Sequence, residues 1–290
     1  MLTYATRRAA RGGPRSMMIC STQVPRSARV RNRCENIGLA IMARPPEDSR
    51  RTTPETQCHR HPQPWAEPLG ARTFELVAFD FDGTLADTRT AVSKTVNLTL
   101  RNHGLSAARD EAIHKLIGLP LDQVFRDVAP DASGSLDLEA LVADYRAAYS
   151  DVAETETRIY NGITAALSSL QELGVCMAIV TSKGRAAVVD VLIRDGLEQF
   201  LELIVTNADV EFKKPHPEMM HRLLEHFGTP PQGAILVGDT TYDIDMGRAA
   251  DVTTCGVTWG YHGVSELEQA GAHHVIAHPQ ELVTLIAPGA

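Results

Sequence analysis

The run Phe74-Glu75-Leu76-Val77-Ala78-Phe79, followed at once by Asp80-Phe81-Asp82-Gly83-Thr84-Leu85-Ala86-Asp87-Thr88, decides the fold. A short, mostly apolar stretch that stops at a polar cluster has the signature of a strand buried on both faces of a parallel sheet. Working outward, similar runs occur at 175–180, 202–205 and 234–237, with a less regular fifth at 253–257. Helical patterns lie between them: 162–173 before Gly174, 185–195 before Gly196 and 217–227 before Gly228. A glycine just past the last periodic residue is a helix stop. Strands alternating with helices predict an α/β chain, with a Rossmann-like parallel sheet core and helices on both faces.

One stretch breaks the alternation. From about 90 to 158 the pattern is helix after helix. Val92, Val96 and Leu100 share a face before Gly104, and Ile113, Leu116 and Ile117 precede Gly118. Pro120 opens a third helix carrying Leu121, Val124, Phe125 and Val128, and Leu138, Leu141, Val142, Tyr145 and Tyr149 mark a fourth. An inserted all-helical cap domain, residues 90–158, is therefore expected over the carboxyl edge of the sheet, where open α/β folds bind ligands. The α/β core is then 71–89 together with 159–290. Residues 1–70 show no apolar period of 2 or 3.6 and carry Arg-Gly-Gly-Pro, Arg-Pro-Pro and Pro-Gln-Pro stretches, so a disordered Arg-rich tail is expected there.

Charge separates the same two parts. Residues 1–72 hold 13 Arg, no Lys and five acids, a balance of +8, whereas the remainder holds 15 basic and 31 acidic residues, a balance of −16. An acidic body argues against nucleic acid as a partner of the folded part. Residues 1–33 hold basic residues and no acids, the balance of an organellar transit peptide; translated leader ahead of a true start at Met42 or later has the same composition. No stretch approaches the roughly 18 apolar residues that span a bilayer. The expected place is the cytoplasm, away from any membrane, or an organelle if residues 1–40 are a transit peptide. Cysteines at 20, 34, 58, 176 and 255 form no Cys-x-x-Cys pair, which suggests neither a disulfide scaffold nor a zinc site.

The polar clusters sit at the ends of the predicted strands. Asp80 and Asp82 are two residues apart, and an extended backbone aims both the same way. Like charges that close need a cation or a shared proton. A metal-bound carboxylate beside one that can carry a proton equips a site for nucleophilic transfer with acid–base help, although Asp and Gly alone also make an ordinary capped turn. Thr181 and Ser182 close the second run, where a hydroxyl can donate to an anion or cap the next helix. Lys214 follows Lys213 and precedes Pro215 and Pro217; taken alone, a lysine pair is solvated surface. Asp239 and Asp243 follow the 234–237 run at i and i+4, and offer hard oxygen donors that suit Mg2+ or cap the next helix. Four such clusters at four strand ends converge on one site.

Together these four motifs resemble those of the haloacid dehalogenase superfamily of phosphatases, over roughly residues 74–290. The resemblance implies Asp80 as the nucleophile, Asp82 as the acid and then the base, and Thr181 and Lys214 as further catalytic groups. It implies Mg2+ held by Asp80, Asp82 through its main-chain carbonyl, Asp239 and Asp243, with the phosphoryl group met by Thr84, Thr181, Ser182 and Lys214. Members that cleave carbon–halogen bonds lack the equivalent of Asp82, so its presence points to phosphoryl transfer. The ending Val257-Thr258-Trp259-Gly260-Tyr261-His262-Gly263 is most similar to the phosphoglycolate phosphatase branch. Hydrolysis of phosphoglycolate through an aspartyl-phosphate is thus the implied reaction. Pyrophosphate, sugar phosphates and nucleotides are substrates within the same branch. A β-phosphoglucomutase-like phosphotransferase would share all four motifs, whereas a non-enzymatic binding protein would be expected to lose Asp80 or Asp82. Asn161 before Gly162 departs from the family, which has Pro there, at a cap hinge. By analogy the cap closes over the site, with the Gly118-Leu119-Pro120-Leu121 turn facing the catalytic centre or serving only to join two helices. The implied partner is a small phosphorylated substrate, and the chain a monomer or homodimer.

Overall fold

The computed structural model describes residues 73–129 and 137–287. The expected tail, with its transit-peptide and start-site readings, lies outside the described residues.

The opening run forms β1, Leu76–Phe79, every residue of which is buried. It pairs in parallel with β4, Cys176–Thr181, on one side and with β6, Ala234–Gly238, on the other. Alternation then sorts side chains between two cores. Val77, Phe79, Met177, Ile179, Ile235 and Val237 pack on one face with α5 (Ile163–Glu172) and α6 (Arg185–Asp195). Leu76, Ala78, Ala178, Val180, Ala234 and Leu236 pack on the other with α7 (Glu218–Phe227) and α8 (Thr241–Ala249). A sheet buried on both faces explains why these strands read as continuous apolar runs. β5 (Leu203–Thr206), β7 (Thr253–Val257) and β8 (His274–Ile276) complete six parallel strands in the order β5-β4-β1-β6-β7-β8. The order reverses at β1, the arrangement that opens a crevice at the carboxyl ends of the central strands. The short helix α9 (Val264–Gln269) precedes β8, and α10 (Pro279–Ile286) ends the described chain.

Between β1 and α5 the chain leaves the sheet through a small ribbon. β2 (Ala86–Asp87) pairs antiparallel with β3 (Arg158–Ile159), and the helical segment runs between them. Its helices are α1 (Arg89–Asn102), α2 (Asp110–His114), α3 (Leu121–Val128) and α4 (Leu138–Glu156). They have a core of their own in which Val92, Val96, Leu100, Ile113, Phe125, Leu141, Tyr145 and Tyr149 are buried together. The Asp137 side chain starts α4 by accepting the Ala140 N–H at 3.0 Å, an N-cap bond.

Two elements differ from expectation. β8 has only three residues and joins the sheet through β7 alone, too short for any period to show. The ribbon strands have two residues each and lie about 70 positions apart, so only their pairing makes them strands.

Candidate active site

Three of the four polar clusters sit at the carboxyl ends of β1, β4 and β6, while Lys214, expected at a strand end, reaches them from the loop between β5 and α7. Asp80 directly follows β1, its N–H bonded to the Val237 carbonyl at 2.9 Å. Lys214, its side chain 1% exposed, lies between two carboxylates: Nζ donates to Asp80 Oδ1 and to Asp243 Oδ1, both at 2.7 Å. Asp239 follows β6 and is fully buried; Thr84 Oγ1 donates to its Oδ1 and the Tyr261 N–H to its Oδ2, each at 2.9 Å. Asp243 accepts the N–H and hydroxyl of Thr240 at Oδ2, so it caps α8 with one oxygen and holds Lys214 with the other. Helix capping and the contact with Lys214 therefore coexist at Asp243.

Backbone shape makes room for this cluster. Gly83 has φ +85°, and a Cβ there would collide with the Asp239 carboxylate and the Tyr261 ring. A Cβ at Gly260 would collide with the Asp239 side chain as well. Gly83→Ala is expected to lower stability by about 1–3 kcal/mol through forced backbone strain and to displace Asp239. Thermal unfolding and the metal dependence of activity, measured together, check this; a variant matching the parent in both would remove the cradle argument.

Electrostatics follow from burial. Asp80, Asp239 and Asp243 each offer an oxygen within 4.8 Å of the other two, all buried. Burial, opposed by Lys214 and reinforced by Asp243, pushes the Asp80 carboxyl up to about 7. Burial and the neighbouring Asp80 and Asp243 hold Asp239 well above the usual carboxylate range, against the Tyr261 N–H and the Thr84 hydroxyl. Burial works against the Lys214 ammonium, but Asp243 and Asp80 outweigh it and hold the group above its ordinary value. Three hard oxygen donors against one ammonium form a pocket short of positive charge. That donor set fits a divalent cation of the Mg2+ kind.

Asp82 stands apart from this trio. Its Oδ1 accepts from Thr88 Oγ1 at 2.7 Å and from Lys183 Nζ at 2.9 Å. Thr181 is buried at the end of β4, with its hydroxyl accepting the Lys183 N–H at 3.1 Å. Two hydroxyls expected at a phosphoryl group are engaged elsewhere. That of Thr84 holds Asp239, and that of Ser182 donates to the Gly118 carbonyl of the helical segment at 2.7 Å. The Gly118 turn thus lies against the strand ends, beside Thr240 and Tyr242.

The sequence alone assigns no site role to Lys183, Thr88, Tyr149, Arg89 or Tyr261. Arg89 donates to the carbonyls of Trp259 and Gly260 at 2.7 and 2.6 Å, bracing the loop whose Tyr261 N–H reaches Asp239. A lysine two residues past a strand-end threonine was the available signal for Lys183, but helix-start residues carry the same letters.

A doubly wound sheet with buried acids and a lysine gathered at its carboxyl edge is equipped to hold a cation and meet an anionic group. The model of the haloacid dehalogenase-like hydrolases matches residues 77–257, and the chain belongs to that family. Pyrophosphatase PpaX of Bacillus pumilus is 32% identical over 218 residues, 75% of this chain and 99% of the relative. Phosphoglycolate phosphatase of Yersinia pestis is 29% identical, covering 72% of this chain and 92% of its own. Among solved structures, a haloacid dehalogenase-like family hydrolase of Streptococcus pneumoniae matches in fold with a TM-score of 0.65 at 22% identity, over 73% of this chain and 98% of that one. These likenesses mark an enzyme of the phosphatase kind. Among the described residues no helix is long and apolar enough to cross a membrane.

Proposed function

We propose that this chain is a Mg2+-dependent phosphatase that hydrolyses a small phosphomonoester, phosphoglycolate favoured, through an aspartyl-phosphate on Asp80. The observation that carries the reading is the buried trio Asp80, Asp239 and Asp243 around Lys214, with a separately held Asp82 two residues from Asp80. Asp80, Asp239, Asp243 and the main-chain carbonyl of Asp82 would hold Mg2+, which when bound offsets the carboxylates and polarises a phosphoryl oxygen.

The chain's own groups then divide the chemistry. An Asp80 oxygen attacks phosphorus, the bond from phosphorus to the leaving oxygen breaks, and Asp82 gives that oxygen its proton. Asp82 next takes a proton from water as the water oxygen attacks phosphorus. The bond from phosphorus to Asp80 breaks, phosphate departs, and Asp82 again carries its proton. Lys214 offsets charge on the nucleophile and the transferring group, and Thr181 donates to a phosphoryl oxygen. Positioning and charge do most of the work.

The helical segment, residues 90–158, is the cap domain of this reading, with 71–89 and 159–290 as the core. The Ser182–Gly118 bond supports a cap seated on the strand ends, which excludes water from the site. The relatives named above act on phosphoglycolate or are pyrophosphatases, so the substrate class is a small, highly charged phosphate.

The test is phosphate release from phosphoglycolate, pyrophosphate, sugar phosphates and nucleotides, with Mg2+ and with chelator. Metal-dependent release concentrated on phosphoglycolate is the expected result. Release concentrated on pyrophosphate would keep the chemistry and change the leaving group. No release from any substrate by the folded protein would overturn the reading.

A further inference from the structure

We infer that Lys183 is a positioning residue for Asp82, held in place by Tyr149 of the helical segment. The inference rests on the reading of Asp82 as the acid–base group. Lys183 Nζ donates to Asp82 Oδ1 at 2.9 Å and to Tyr149 Oη at 2.6 Å. Its side chain is 7% exposed and that of Asp82 12%. The ammonium also lies 4.0 Å from the centroid of the Tyr149 ring, which stacks on Tyr145 within the core of the helical segment. Nothing in the steps above uses this buried cation.

The geometry says what it does. Thr88 Oγ1 is the second donor to the same Asp82 oxygen. While Asp82 is a carboxylate it can only accept, so the one Thr88 hydrogen goes to it, and Tyr261 Oη, 2.7 Å from Thr88 Oγ1, donates to Thr88. Two donors on Oδ1 fix the plane of the carboxylate. Oδ2 has no partner among the described residues, and it is the oxygen left to carry the transferred proton.

The same few residues also hold the helical segment. Ser182 donates to the Gly118 carbonyl and Lys183 to the Tyr149 hydroxyl, so adjacent residues past β4 grip that segment at two separate points. The Thr181 hydroxyl, by accepting the Lys183 N–H, ties this loop to the strand end. One ammonium thus shares its donors between the acid–base carboxylate and helix α4. Tyr149 thus helps set the place from which Lys183 reaches Asp82, which couples the aim of Asp82 to the seating of helix α4.

A double-mutant cycle on the full chain, assayed with Mg2+ and p-nitrophenyl phosphate, tests this. Lys183→Met is expected to lower kcat about 10–100-fold with KM unchanged or lowered along with it, a share of the roughly 10²–10⁴-fold that a positioned acid–base group supplies. Tyr149→Phe, which keeps the ring, is expected to lower kcat about three- to tenfold by the same route. In an Asp82→Asn background either change should add less than about twofold, since a residue acting through Asp82 has nothing left to act on. p-Nitrophenolate leaves without a proton, so Lys183→Met should also show a burst of p-nitrophenol as the phosphoenzyme waits for its base. Effects that multiply with Asp82→Asn, or a raised KM at unchanged kcat, would overturn the inference and make Lys183 a substrate contact. If Lys183→Met does not fold, unchanged kcat in Tyr149→Phe overturns it alone. Wild-type kcat in Asp82→Asn would instead remove the acid–base reading itself, and the same cycle shows it.

Discussion

Asp80→Asn is expected to abolish turnover and, in metal-free buffer near neutral pH, to make the folded chain more stable. Loss of the proposed nucleophile should lower kcat by roughly 10⁴–10⁶-fold, the scale seen when a covalent catalytic group is removed. The stability gain follows from the charge of the site. Burial, with Asp243 adding to it and Lys214 opposing it, pushes the Asp80 carboxyl from 3.8 up to about 7. The folded state therefore binds that proton more tightly than the unfolded state does. Stability falls as pH rises from about 4 to about 7, and the penalty is fully present above 7. At roughly 1.4 kcal/mol per pH unit this amounts to a few kcal/mol, which Asn, unable to ionise, does not incur. Asp239, also held high, leaves a residual slope in the variant. Thermal unfolding in chelator from pH 5 to 8 reads the slope, and added Mg2+ should stabilise the parent more than the variant. An unchanged slope would mean that the cluster is not charged as described; retained turnover would sink Asp80 as nucleophile.

How much of this was legible in the sequence differs by element. The central strands announced themselves because a parallel sheet covered on both faces needs continuous apolar runs, and 76–79 and 234–238 are such runs. The glycine stops at Gly196 and Gly228 fall one residue past the observed helix ends. β8 stayed hidden because His274-Val275-Ile276 has no length in which to show a period, and its ladder with β7 is a tertiary fact. Within the site, acids at strand ends and a lysine could be listed from spacing, but their partners could not. Thr84 and Asp239 are 155 positions apart, and Lys183 and Asp82 are 101 apart. Which hydroxyl meets a carboxylate and which faces an anion is set by how β1, β4 and β6 stack side by side. Lys183 shows the limit best: its role depends on Tyr149, delivered by a helix of the inserted segment.

Lys214→Met is expected to damage folding and activity together, and metal should separate the two losses. The ammonium is 1% exposed and bonded to Asp80 and Asp243 at 2.7 Å each. Burial alone would favour its neutral form, yet Asp243 and Asp80 hold it charged. Methionine fills much the same space and removes the charge, which leaves three buried carboxylates facing one another without a cation. Breaking a buried pair in this way typically costs about 3–5 kcal/mol. The loss should shrink toward pH 5, where Asp80 and Asp239 take up protons in the folded state and their repulsion disappears. Millimolar Mg2+ should restore much of the stability, since a divalent cation among the same oxygens supplies the missing charge. It should not restore turnover. A donor aimed at the charge that develops on the transferring group is worth about 10²–10³-fold in kcat, and a metal held by carboxylates does not occupy the place of the lysine. Unfolding curves in chelator and in Mg2+, run beside kcat, distinguish the two roles. Full recovery of kcat with metal would make Lys214 a structural counter-charge only, whereas unchanged stability in chelator would mean that the carboxylates already share protons and the ammonium is not what holds them together.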